Sequence, residues 1–133
     1  MDAQRLKDNF AQVADHGMEV ADYFYADLFQ SNPGYRSLFP ASMARQQKVL
    51  LEALAQIVAW VDNTEELVPY LQQLGRRHQG FGVTAEHYPE VGGSLIATLR
   101  YFSGDSWTPE LEKDWAAAYG VVSDVMVKAG SEG

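Results

Sequence analysis

No stretch of this 133-residue chain alternates apolar and polar residues with a sustained period of two, whereas four stretches repeat apolar residues every three or four positions. These are Val20, Phe24 and Leu28; Leu50, Leu54, Ile57 and Val61; Val91, Leu95, Leu99 and Phe102; and Leu111, Trp115, Tyr119, Val122 and Met126. That spacing matches the 3.6-residue turn of an α-helix and gives each segment one apolar face to bury. The pattern therefore predicts an all-α domain built by packing such faces together.

The five prolines, Pro33, Pro40, Pro69, Pro89 and Pro109, fall where the apolar pattern changes phase. Proline lacks an N–H and clashes with the preceding turn, so it suits helix starts better than helix interiors. Together with the cap and turn residues at Gly17, Ser31-Asn32, Asp62-Asn63-Thr64 and Ser103-Gly104, they predict seven helices. The expected spans are about 2–15, 17–31, 33–38, 43–61, 69–79, 87–103 and 107–129, with an extra turn near 64–68. One domain over 1–133 is expected, with its core at about 5–129 and a frayed tail at 130–133.

Composition narrows the chemistry. There is no cysteine, which removes thiolate metal sites, thiol nucleophiles and thioether-linked cofactors. A formal charge of −8, from 18 acidic and 10 basic residues, argues against nucleic acid and against an anionic membrane surface. The longest mostly apolar run, Val49 to Val61, is broken by Glu52 and Gln56 and is too short to span a bilayer. With no leader-like pattern at the N-terminus, a cytoplasmic location is expected.

Three histidines are candidates for metal chemistry. His16 stands at an expected helix end, where a cationic or hydrogen-bonding side chain suits the C-terminal dipole, and His87 stands at a helix start. His78 instead extends the stripe of Leu67, Leu71 and Leu74, so its ring points at the core. Two readings fit it: a buried histidine satisfied by a backbone carbonyl, or an axial ligand of a haem iron. Tyr25, Phe39, Gln46 and Leu50 form a second group, with Gln46 and Leu50 one turn apart. Each also has a purely structural explanation, as core aromatic, packing leucine or solvated amide. Three basic clusters, at Arg36, at Arg45 with Lys48, and at Arg76 with Arg77, suit either solvated helix faces or the two propionates of a haem.

Several ordered motifs give these groups a common meaning. Phe24-Tyr25-Ala26-Asp27-Leu28-Phe29, Asn32-Pro33, Leu38-Phe39, Leu74-Gly75-Arg76-Arg77-His78, Val83, His87-Tyr88-Pro89-Glu90-Val91-Gly92 and Trp115 through Ala118-Tyr119-Gly120 follow one another at the right separations. Over about residues 5–129 the chain resembles the single-domain bacterial haemoglobins, globins related to the haem domain of flavohaemoglobins.

The resemblance implies a three-over-three helical sandwich around one haem b (iron protoporphyrin IX). It makes His78 the axial ligand, Tyr25 and Gln46 the distal pair, and Phe39 an aromatic against the porphyrin. Val49, Leu50, Leu54, Leu74, Val83, Val91 and Tyr119 would line the pocket. Tyr88 would stand beside the axial imidazole, and Arg45, Lys48 and Arg77 near the propionates. Gln46 is preferred to Gln47 because it shares a face with Leu50, Leu54, Ile57 and Val61, the longer stripe. Flavohaemoglobins carry a glutamate in the last helix facing that tyrosine and histidine; counted from Tyr119, the position here is Gly130, with Glu132 close to the expected frayed end.

The expected function is reversible, high-affinity binding of dioxygen, with carbon monoxide and nitric oxide as further ligands. Hydrogen-bond donors favour dioxygen because it acquires partial negative charge when bound. No histidine falls within 43–61, so a second histidine ligand is not expected. Nitric oxide dioxygenation would require a separate reductase, since the length leaves no room for flavin and nicotinamide domains. The alternatives are a gas-sensing regulatory globin acting through a protein partner and, third, a helical bundle without haem. The oligomeric state is open.

Overall fold

The computed structural model describes residues 2–132, the last without its side chain; Met1 and Gly133 lie outside the described residues. Six α-helices carry the fold: α1 (Ala3–Ala14), α2 (Met18–Ser31), α3 (Ala44–Ala59), α4 (Thr64–Gly80), α5 (His87–Ser103) and α6 (Pro109–Glu132). Short 3-10 turns occupy Pro33–Leu38 and Gly104–Ser106, and no strand occurs among the described residues. The closest packing pairs are α4 with α6, α2 with α5 and α2 with α3, and α1 rests on α5 and α3. Packed in these pairs, the helices make the all-α domain that the apolar spacing predicts.

Most boundaries fall within two or three residues of the spacing-based expectation, and the larger differences have local causes. Pro69 does not begin a helix; it sits inside α4, and the separate turn anticipated near 64–68 is that helix's first turn. One intrahelical bond is lost there, but Glu65 and Glu66 favour the N-terminal dipole and buried Leu67 anchors the turn. The segment Pro33–Leu38 buries no residue and takes the tighter 3-10 form. His16 meets the end of α1 through its backbone, the amide donating to the Val13 carbonyl at 3.1 Å, while the imidazole packs on Phe102 with ring centroids 4.8 Å apart. Gly17 follows with φ of +61°, a backbone that side chains rarely adopt.

Two apolar clusters hold the helices together. The larger gathers Leu6, Phe10, Val13, Phe24, Leu28, Leu99 and Trp115 from α1, α2, α5 and α6. A buried polar knot pins three of them, α1, α5 and α6, in register: Asn9 Nδ2 donates to Ser103 Oγ at 2.8 Å, and Trp115 Nε1 donates to Asn9 Oδ1 at 2.8 Å. The smaller cluster joins Leu67 and Leu71 of α4 to Tyr88 and to Met126 of α6.

At that second cluster α4 and α6 almost touch backbone to backbone. A Cβ on Gly75 would lie 2.7 Å from Met126 Cα and closer still to its carbonyl oxygen. Gly75→Ala should therefore destabilise the domain by about 1–3 kcal/mol, despite alanine's better helix propensity. Exposed Gly93, with nothing near its Cβ position, supplies the control: Gly93→Ala should be neutral or stabilising by up to about 1 kcal/mol. Thermal melts of both variants decide; equal behaviour would mean the helix crossing is looser than this.

α6 also runs to Glu132, through the segment expected to fray. Gly130 is buried, and a Cβ there would stand 3.3 Å from the Gly75 carbonyl oxygen and 3.2 Å from Gln79 Cβ. Packing on α4 holds this end of the helix in place.

Candidate functional site

α4 carries His78 on the face that Leu71 and Leu74 bury, and the ring is partly buried. Its Nδ1 lies 2.8 Å from the Leu74 carbonyl oxygen. A carbonyl only accepts, so the proton sits on Nδ1 and the lone pair on Nε2. Nε2 has no hydrogen-bond partner among the described residues, where no fully buried side-chain nitrogen or oxygen lacks one, so Nε2 opens onto accessible space. Burial pushes the imidazole below its ordinary value, with Arg77 adding to the shift and the Leu74 bond opposing it. The result is a neutral nitrogen donor with a fixed tautomer.

No group of three or more His, Cys, Asp or Glu side chains among the described residues could hold a metal ion.

A second group assembles from α2, the Phe39 corner and α3. Tyr25 is 6% exposed, and its hydroxyl accepts a hydrogen bond from Gln46 Nε2 at 3.2 Å. Because Gln46 donates, the phenolic proton remains available for another acceptor. Burial raises the phenol's pKa and the Gln46 bond opposes the rise, so Tyr25 is protonated at neutral pH. Gln47, one residue on, pairs instead with the Asp22 carboxylate.

Phe39 meets the Tyr25 ring edge-on at 5.6 Å, and Phe29 completes the triangle, 5.7 Å from Tyr25 and 5.4 Å from Phe39. Phe29 lies one helical turn beyond Tyr25, a spacing that could have marked it in the sequence. Arg36 was read as one of the basic clusters. Its guanidinium lies 5.7 Å above the Phe29 ring and donates to the carbonyls of Phe39, Pro40 and Ala41.

The remaining candidates fall on both sides of the fold. Leu50, Leu54, Val91 and Tyr119 are partly buried against the larger cluster, and Leu74 and Val83 against the smaller one. Val49 stands apart at 37% exposed. Tyr88 is buried, and its backbone carbonyl accepts from Tyr119 Oη at 2.6 Å. Gly92 makes room for the Tyr119 ring, where a Cβ would come within 2.6 Å of ring carbon. Burial and the neighbouring Tyr88 raise the Tyr119 pKa strongly, so it too acts as a neutral donor. Arg45, Lys48 and Arg77 are exposed, with no ion pair among the described residues.

The globin family profile matches residues 22–126, most of the chain. The chain belongs to the globin family. Among curated proteins this globin is 34% identical to the flavohemoprotein of Bordetella bronchiseptica, over 86% of this chain and 29% of that protein. It is 30% identical to that of Bacillus anthracis, over 96% and 32%. The globin thus spans about a third of the length of these curated relatives.

Among solved structures, a bacterial globin from Campylobacter jejuni superposes with a TM-score of 0.85 at 22% identity, over 98% of this chain and 94% of that one. An engineered carbene transferase from Rhodothermus marinus, described as a "putative nitric oxide dioxygenase", superposes at 0.86 with 25% identity, covering 98% and 91%.

Near the end of α6, Gly130 packs against Gly75 and Gln79 of α4. His78 Nδ1 has the Leu74 carbonyl as its partner, and no carboxylate among the described residues bonds to it. A neutral carbonyl draws less charge onto an imidazole than a carboxylate does.

Proposed function

We propose that this globin holds haem b through His78 Nε2 and reversibly binds dioxygen on the side of Tyr25 and Gln46. The observation that carries the reading is the pairing of two features in one helical sandwich. One is a neutral histidine whose open nitrogen is fixed by the Leu74 carbonyl; the other is a buried tyrosine whose proton Gln46 leaves unused.

The residues fit the group. Only one protein nitrogen donor is needed for an iron held in a macrocycle. Phe39, Leu50, Leu54, Leu74, Val83 and Val91 offer partly buried apolar surface, and exposed Arg45, Lys48 and Arg77 suit propionates. Haem, when bound, supplies an iron that takes a diatomic gas. The His78 nitrogen and apolar packing would hold that group, and the Phe29–Phe39–Tyr25 rings would keep water from the space beside Tyr25. Tyr25 and Gln46 donate hydrogen bonds to a ligand with partial negative charge. His16 packs on Phe102 and His87 beside Tyr35, which supports one protein histidine at the iron.

The finer reading is nitric oxide dioxygenation with a separate reductase, in the cytoplasm. Its support is likeness to the flavohemoproteins and to the Rhodothermus marinus protein. Stopped-flow mixing of the oxygenated protein with nitric oxide, followed by repeated cycles in a cell extract, tests it. Sustained nitrate formation is expected, and a single turnover without re-reduction would leave oxygen binding alone.

Acid should release the haem late. Only neutral imidazole ligates, and the His78 value is lowered, so haem stays bound as pH falls past the ordinary histidine value of 6.5. The linkage has the same sign for folding of the haem-free chain. The contribution of His78 is fully present above 6.5 and is lost as pH falls through the lowered value. Soret absorbance followed during acid titration checks the first statement; loss of the band centred at or above 6.5 would contradict it.

A further inference from the structure

We infer that Arg36 is a positioning residue that sets the orientation of Tyr25 through the Phe39 corner, an inference that rests on the haem-binding reading above. The corner between the Pro33–Leu38 turn and α3 lies outside any helix, so its carbonyls have no helical donors. One guanidinium supplies them. Nη1 donates to the Pro40 carbonyl at 2.8 Å and to that of Phe39 at 3.4 Å, while Nη2 donates to the Ala41 carbonyl at 2.7 Å. In return the Phe39 amide donates to the Arg36 carbonyl at 3.2 Å. The backbone that carries the Phe39 ring is thereby held from both sides.

The same guanidinium lies over Phe29. Arg36 thus grips the two aromatic residues that flank Tyr25, one by its backbone and one by its ring face, with no hydrogen bond to Tyr25 itself. Close-packed rings transmit such placement because a void or overlap at their contacts is costly. Only a flat fork with several donors reaches three successive carbonyls and an aromatic face together; a lysine ammonium, a compact point charge, does not reproduce it. The guanidinium is committed to the corner, which sets it apart from exposed Arg45, Lys48 and Arg77 as a propionate partner.

Arg36→Gln and Arg36→Lys in the full chain test this in two ways. In the haem-free protein, hydrogen exchange at the Phe39 amide, which donates to the Arg36 carbonyl, should quicken about 10-fold in Arg36→Gln and less in Arg36→Lys as the corner loses its charge-assisted bonds, with the global melting midpoint little changed. In the haem-loaded protein, oxygen release from Arg36→Gln should quicken roughly three- to ten-fold, and the same change added to Tyr25→Phe should produce no further acceleration. Unchanged exchange at the Phe39 amide would overturn the clamp. Faster exchange with unaltered oxygen release, or additive effects with Tyr25→Phe, would reduce Arg36 to a structural role and overturn the positioning. If Tyr25→Phe alone leaves oxygen release unchanged, the distal assignment fails, while the exchange result still decides whether Arg36 holds the corner.

Discussion

His78→Gly should purify folded but without a Soret band, and millimolar imidazole added with haem should restore it. The Leu74 carbonyl fixes the Nδ1 of His78, which leaves Nε2 as the nitrogen donor of the proposed site. Its loss should weaken haem retention by more than the roughly 10- to 100-fold that losing an outer-shell partner costs a metal site. The fold should survive, because the buried anchors of α4 are Leu67, Leu71 and Gly75. A glycine in the last turn costs about 0.5–1 kcal/mol. Far-ultraviolet circular dichroism separates loss of ligand from loss of structure. A haem-loaded His78→Gly protein with an unchanged spectrum in the absence of imidazole would remove His78 from the axial position.

The second large effect is on oxygen release. Tyr25→Phe keeps the ring that Phe24, Phe29 and Phe39 surround and deletes only the hydroxyl, so packing is preserved. A hydrogen bond to a group bearing charge contributes about 1.5–3 kcal/mol, which corresponds to roughly 10- to 150-fold faster dissociation. Carbon monoxide, which acquires less charge, should leave at nearly the original rate. Gln46 then becomes the remaining donor, and Gln46→Leu in the Tyr25→Phe background should add a further, smaller acceleration. Equal changes for both gases would point to altered access rather than to a lost hydrogen bond.

Helical periodicity and proline placement made the number and order of the helices legible, because an amphipathic stripe is written directly in residue spacing. They were less informative about ends. Pro69 reads locally as a helix start, yet α4 begins five residues earlier, since burial of Leu67 offsets one missing backbone bond. Gly130 reads as a tail residue until the close approach of α4 shows that it is packed. His16 next to Gly17 reads as a cap, whereas its partner, Phe102, lies in a helix far along the chain.

The candidate site divides in the same way. The position of His78 on an apolar stripe, and the shared face of Gln46 and Leu50, follow from spacing along one helix. The choice between Gln46 and Gln47 as the partner of Tyr25 depended on that phase, and in the structure each glutamine finds a different side chain of α2. The role of Arg36 was not legible, because a cationic side chain looks alike in sequence whether it faces solvent, a propionate or a run of carbonyls.

By itself, then, the sequence determined an all-helical domain, excluded thiol chemistry, and singled out one histidine on a buried face. These are properties of residue type and local period. The tertiary structure alone decided which nitrogen of His78 stays open, which glutamine meets Tyr25, and what Arg36 holds. The meeting of Gln46 with Tyr25 joins two helices and is set by how they pack. The bonds of His78 to Leu74 and of Arg36 to its corner are local, but which side-chain rotamer and chain path they need is fixed only in the packed domain.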